Sequence, residues 1–152
     1  MTLDRPGETP AAILDSLRAE HAREERERLV PIVAGEGDAR TRLTRALEAV
    51  CAITDKRADF LVRVDAGVRN FVYHEPGDEA LSRPEFVEPI VRLLRDGALD
   101  GSLRSFADEE EVATVLYNQV FWTYLHLRRE HRWSAERATR GVIDLAIGGV
   151  RP

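Results

Sequence analysis

Apolar positions recur three and four residues apart over long stretches of the chain and rarely alternate, which predicts an all-α protein with five or six helices. The first helix should begin at Thr9, with Pro10 in its first turn. Its apolar stripe is formed by Ile13, Leu14 and Leu17. From 18 to 28, opposite charges recur at helical spacing without a wide apolar face, so we expect this half to be solvated or to lie against another polar element.

The next two helices are predicted from caps, periodicity and a polar interruption. Asp38 is the expected N-cap of the second helix, whose core face consists of Leu43, Ala46, Leu47 and Val50. The polar stretch 54–59 predicts a break, and the stretch 75–78 a stop. Between them, a third helix should carry on one side Phe60, Val64, Val68 and Phe71.

The fourth helix contains two prolines that affect its prediction. Ser82 and Glu85 have the spacing of a capping box, with Pro84 tolerated in the first turn. Pro89 lies farther inside and predicts a kink or a restart of the helix. Gly97 is its expected end.

The last two helices carry more apolar surface than a domain of this size needs for its own core. Asp108 should cap the fifth helix, in which 112–127 is apolar around more than one face, and Ser134 should cap the sixth. This surplus of apolar surface predicts a twofold dimer in which two helices from each chain form a four-helix bundle. The predicted interface residues are Trp122, Leu125, Ala138, Val142, Leu145, Ala146 and Gly149. The alternative is that both helices are simply central to the core of one chain.

Composition limits the class of protein. With 152 residues, 43% of them hydrophobic and 32% charged, the chain should form one domain, taken as 9–152 after a flexible N-terminus, 1–8. The net charge of -5 argues against a general polyanion binder. No stretch approaches the roughly 18 apolar residues of a membrane span, and no signal peptide is recognisable. We therefore expect a soluble, cytoplasmic protein without a membrane partner.

The chain lacks the sequence motifs of common catalytic sites, so we expect that it is not an enzyme and needs no cofactor. The chain has no GxSxG, HExxH or glycine-rich phosphate motif. His126 and Glu130 have the spacing of two metal ligands, but such residues near a helix end are usually solvated, so no metal site is predicted. Cys51 is expected to be a buried, inert thiol, and His21 and His74 are expected at the surface.

The segment 91–152 resembles the C-terminal part of tetracycline-repressor-like (TetR family) bacterial transcription regulators. The similar features are a helix ending in "RDG", a "DGSLR" connection, an "ADEEE" cap, a long aromatic-bearing helix, and "WSAERA" opening a last helix that ends near "GGVRP". The resemblance implies an all-α domain that binds a small-molecule effector and dimerises through its last two helices. It also implies a cavity among the central helices for a small, mostly apolar ligand.

In that family a DNA-binding head with a helix-turn-helix precedes this domain, whereas here Met1 is followed directly by "TLDRPGETP". The chain is therefore not expected to read DNA alone, and operator DNA is an expected partner only if the full protein carries such a head. Two functions stay open. One is the sensing half of a regulator, and the other is a head-less helical dimer that binds a small molecule or partner protein without DNA.

If the implied cavity exists, its wall should be formed by large apolar and aromatic residues with a few polar groups. The candidates are Phe60, Val64, Phe71, Phe86, Ile90, Leu94, Tyr117, Asn118, Phe121 and Tyr124. The alternative is that the aromatic stripe is ordinary core.

Overall fold

The computed structural model describes residues 9–152, which form six α-helices and no β-strand, so the all-α prediction is confirmed. The helices are α1 (Pro10–Val33), α2 (Ala39–Arg63), α3 (Ala66–Tyr73), α4 (Pro84–Asp100), α5 (Glu109–Arg129) and α6 (Ala135–Val150). The predicted flexible segment, 1–8, lies outside the described residues. None of the six helices is both long and apolar enough to cross a membrane.

Local capping determines where most helices begin. The side chains of Thr9, Asp38, Asp108 and Ser134 each accept a hydrogen bond from the backbone N–H three residues later, as the sequence predicted. Asp65 does the same for α3 through the N–H of Val68. Each bond satisfies one of the N–H groups that the first helical turn leaves without an intrahelical partner.

The predicted break at 54–59 is wrong, because α2 continues through this stretch to Arg63. The Thr54 hydroxyl donates to the carbonyl of Val50 at 2.8 Å, and Arg57 is buried, so polar residues face the protein interior here. The chain turns instead at Val64 and Asp65. Phe60 therefore lies on α2, and α3 is shorter than predicted.

The start and interior of α4 also differ from the prediction. Arg83 occupies the N-cap position without a capping side-chain bond, so the Ser82–Glu85 box is wrong. Ser82 is buried and pairs with His74 in an isolated antiparallel bridge. Pro89 lies inside α4, which continues past it as one helix, so the predicted restart at Pro89 is wrong.

Gly97 does not end α4, which continues to Asp100 and stops at Gly101 with φ 77°. A Cβ at Gly97 would lie 2.5 Å from the Leu103 side chain. A glycine is therefore needed at this position because the chain returns over α4 and brings Leu103 close to it, and not because the helix ends there.

The core is built around α5, which packs against α2, α4 and α6, while α1 packs against α2, α3 and α4. We expected 18–28 to be solvated or to lie against another polar element, and the structure shows the second alternative for His21 and Glu25, which are buried together with Ala22. Arg57 of α2 faces them and binds their polar atoms, so α1 docks through polar as well as apolar contacts.

The structure divides the predicted interface residues between the interior and the surface. Leu125, Ala138, Val142 and Ala146 are buried in the core of the single chain. Trp122 is half-buried, while Leu145 and Gly149 are exposed. Of the seven predicted interface residues, only Trp122, Leu145 and Gly149 therefore have exposed surface that a second copy could cover.

Candidate ligand-binding cleft

Six of the predicted pocket residues come together in one core cluster, in which neighbouring aromatic rings pack against one another. Phe86, Ile90, Leu94, Tyr117, Phe121 and Tyr124 are all buried in the core. The rings of Tyr117 and Phe121 stack at 5.6 Å between centroids, and Tyr73 lies 5.0 Å from Phe86 and 5.1 Å from Phe121. These contacts are those of a packed aromatic core, the alternative to a pocket wall that the sequence left open.

The other four predicted pocket residues are dispersed. Phe60 packs edge-on against the His21 ring, and Val64 forms the C-cap of α2. Phe71 lies under the guanidinium of Arg83 and borders a shallow surface cleft beside the α3–α4 connection. Asn118 is half-buried on α5 and makes the hydrogen bonds described below.

Sequence reasoning missed a buried polar cluster that joins four helices and comprises His21, Glu25, Arg57, Tyr73 and Tyr117; we call it the Glu25 cluster. The Oε1 atom of Glu25 accepts hydrogen bonds from Arg57 Nη1 at 3.0 Å and from the Tyr117 hydroxyl at 2.7 Å. Arg57 Nη2 donates to the His21 carbonyl at 2.9 Å, and His21 Nδ1 is hydrogen-bonded to the Tyr73 hydroxyl at 2.7 Å. The available sequence signal was the four-residue spacing of His21 and Glu25, which continues to the buried Leu29.

Burial sets the electrostatics of the Glu25 cluster. Glu25 is 1% exposed, and loss of hydration raises its pKa to about 7, against the opposing effects of Arg57 and Tyr117. Burial, followed by repulsion from Arg57, lowers the pKa of His21 to about 4. The cluster therefore holds a neutral imidazole one turn from a carboxyl group with raised proton affinity. Its buried position suits a structural connection between helices.

A separate cleft of about 310 Å³ lies between α4, α5 and the connection that precedes α4. We call it the α4–α5 cleft. Its apolar floor consists of Leu81, Pro84, Val87 and Val91. Its polar lining consists of Glu75, Ser82, Glu88, Arg95, Glu110 and Thr114. None of the ten predicted pocket residues lines it.

Hydrogen bonds fix the α3–α4 connection as one wall of the cleft. The backbone N–H of Glu75 donates to the Leu81 carbonyl at 2.9 Å, closing a short loop. The N–H of Ser82 donates to Thr114 Oγ1 at 3.2 Å, which attaches the loop to α5. The sequence could not indicate this wall, because Ser82 and Thr114 lie 32 residues apart.

A second set of hydrogen bonds runs from this wall along α5. Asn118 Nδ2 donates to Ser82 Oγ at 2.8 Å and to the Thr114 carbonyl at 2.8 Å. Asn118 Oδ1 accepts from Trp122 Nε1 at 3.2 Å. The polar chain therefore extends from the cleft to a half-buried tryptophan on the adjoining side of α5.

The residue types around the α4–α5 cleft are suited to binding. Its described lining contains carboxylates, one guanidinium and two hydroxyls, with neither His nor Cys among them. Cys51 lies apart in the core, and burial raises its pKa to about 12, consistent with the inert thiol predicted from the sequence. Nowhere in 9–152 do three His, Cys, Asp or Glu side chains form a group that could hold a metal ion.

No family model, curated protein or solved structure matches this chain.

Proposed function

We propose that this chain is the effector-sensing and dimerisation domain of a TetR-like transcription regulator and that the α4–α5 cleft binds the effector, a small, mostly apolar molecule. The observation that carries the proposal is the cleft itself, which combines an apolar floor with a volume of about 310 Å³, within the range of about 300–1,000 Å³ common for small-molecule sites. The resemblance of 91–152 to the C-terminal part of those regulators supports the type of function.

The position of the cleft suits a sensing role. Its lining comes from three successive parts of the chain, namely the α3–α4 connection, α4 and the first turns of α5. A molecule on the apolar floor contacts all three at once. If two arrangements of these elements differ in their contacts with the molecule, binding shifts the equilibrium between them by the difference in affinity.

Exposed apolar residues on α5 and α6 support dimerisation. Val115 is 60% exposed and Leu145 is 73% exposed, so each of the two helices presents a large apolar side chain at the surface of the single chain. Gly141 and Gly148 lie on the same side of α6 as Leu145, at positions four residues before and three after it. A helical glycine costs roughly 0.5–1 kcal/mol relative to alanine, and a Cβ at Gly148 would meet nothing within 4 Å. The two glycines are explained if the backbone of a second copy packs closely against this side of α6.

Ligand binding is tested with N-phenyl-1-naphthylamine, a neutral apolar dye that fluoresces when it leaves water. We expect saturable binding to the unaltered protein and its loss in Leu81→Trp, which fills the cleft without removing the backbone bond of Leu81. Leu99→Trp is the matched control, because Leu99 is 87% exposed and lies outside the cleft. Equal binding by all three proteins would place the dye elsewhere and contradict the proposal.

Dimerisation is tested by light scattering at micromolar concentration. The unaltered chain should have twice the 17.1 kDa chain mass. Leu145→Arg should dissociate it, because a charge would be buried without a partner, whereas Leu99→Arg should not. A charge at Val142 or Ala146 cannot serve this purpose, since both are buried in the chain's own core. A stable monomer, or two variants with equal masses, would contradict the proposed interface.

A further inference from the structure

We propose that the ligand of the α4–α5 cleft is a small organic cation, which places its apolar part on the floor and its positive group among Glu75, Glu88 and Glu110. This inference rests on the proposed function and specifies its ligand class.

The charge of the lining is unbalanced. Glu75, Glu88 and Glu110 form no ion pair with any residue in 9–152. Arg95 is the cation among the described lining residues, and its Nε lies 3.7 Å from an oxygen of Glu109, a carboxylate outside the lining. The positive charge at the cleft is therefore already matched, and three carboxylates are left for a ligand.

The three carboxylates surround the cleft without converging on one point. Glu75 belongs to the α3–α4 connection, Glu88 to the second turn of α4, and Glu110 to the first turn of α5. They do not belong to any group of three acidic or imidazole side chains that could hold a metal ion in the described part of the chain. A positive charge distributed over a bulky group, such as a substituted ammonium, matches this arrangement better than a compact ion does.

Two of the polar groups nearer the floor are already engaged within the protein. Ser82 donates its N–H to Thr114, and its hydroxyl oxygen accepts a bond from Asn118. The hydroxyl hydrogens of Ser82 and Thr114 are the donors left here for a neutral polar ligand. The apolar floor and the three carboxylates are the larger recognition elements, and together they favour a ligand that has an apolar body and a positive charge.

The test compares phenyltrimethylammonium with tert-butylbenzene, which has nearly the same shape and no charge. Both are measured as competitors of the naphthylamine dye and by shifts of cleft amide resonances. We expect the cation to bind at least about tenfold more tightly, with the preference falling as salt rises. Glu110→Gln should weaken cation binding several-fold and leave the neutral compound unchanged.

Glu111→Gln is the matched control, since Glu111 is the exposed neighbour of Glu110 and does not line the cleft. An equal effect of the two substitutions would mean that net charge alone attracts the cation, which overturns the inference. Equal affinity for the two compounds overturns it as well, while leaving the cleft as an apolar effector site. Failure of the dye to bind the cleft would instead refute the proposed function.

Discussion

Glu25 and His21 should affect the pH dependence of stability in opposite directions, and separate substitutions can reveal this. The two residues are one turn apart on α1, and both are buried against Arg57. The pKa of Glu25 is raised to about 7, and that of His21 is lowered to about 4. Folding therefore reverses the order of their proton affinities. The substitutions are Glu25→Gln and His21→Gln, which remove the titrating group and keep a hydrogen-bonding side chain of similar length.

The magnitude and sign follow from linkage between protonation and folding. Folded Glu25 holds a proton between pH 4.5 and 7 that the unfolded chain has lost, so its contribution to stability falls by about 3 kcal/mol as pH rises through this range. Unfolded His21 binds a proton between pH 6.5 and 4 that the folded protein does not, so its contribution falls by about 3 kcal/mol as pH decreases. Between pH 4.5 and 6.5 the two slopes cancel.

The assay is urea unfolding, followed by circular dichroism from pH 4.5 to 7.5, with each variant compared with the unaltered protein. Relative to it, Glu25→Gln should lose stability as pH falls, because only the His21 contribution is left. His21→Gln should lose stability as pH rises, because only the Glu25 contribution is left. Glu27→Gln, which alters an exposed residue of α1, should follow the unaltered curve. Two variants with the same slope would refute the reversed proton affinities.

Three further predictions concern the fold. Gly97→Ala should destabilise the protein by about 1–3 kcal/mol in urea unfolding, because its Cβ would lie 2.5 Å from Leu103; an unchanged midpoint would show that Leu103 moves freely. Asp108→Ala should cost about 1 kcal/mol by removing the bond to the Glu111 N–H, and no loss would mean that this cap is dispensable. Native Cys51 should resist a thiol reagent such as 5,5′-dithiobis(2-nitrobenzoic acid) and react after unfolding, and fast native labelling would contradict its burial.

Features with a local cause were predictable from the sequence. The Asp108 and Ser134 caps lie within three residues of the N–H groups that they satisfy, so spacing alone identified them. The continuation of α2 could not be predicted from local polarity, because the groups that let Arg57 be buried, Glu25 and the His21 carbonyl, belong to another helix. A local reading interprets the same polar residues as a break or a solvated surface.

The candidate cleft was missed for the same reason. The sequence placed the pocket at the aromatic residues, whose size and spacing are compatible with either a core or a cavity wall. The structure resolves this through Tyr73, which occupies the space between Phe86 and Phe121 and was not among the candidates. Ser82 was interpreted as a helix cap because its true partners, Thr114 and Asn118, are distant in the chain.

The α4–α5 cleft and the proposed dimer surface share α5, and this gives a physical route between them. Ser82 at the cleft is hydrogen-bonded to Asn118, which in turn accepts a bond from Trp122, the half-buried member of the predicted interface. A ligand that displaces the Ser82 wall must either carry Asn118 with it or break the bond between them. In the first case the hydrogen-bond partner of the Trp122 indole moves, whereas in the second case Asn118 keeps its bonds to the Thr114 carbonyl and to Trp122. By the first route, a ligand in the cleft can therefore alter the surface on which a second copy would pack without any rearrangement of the aromatic core.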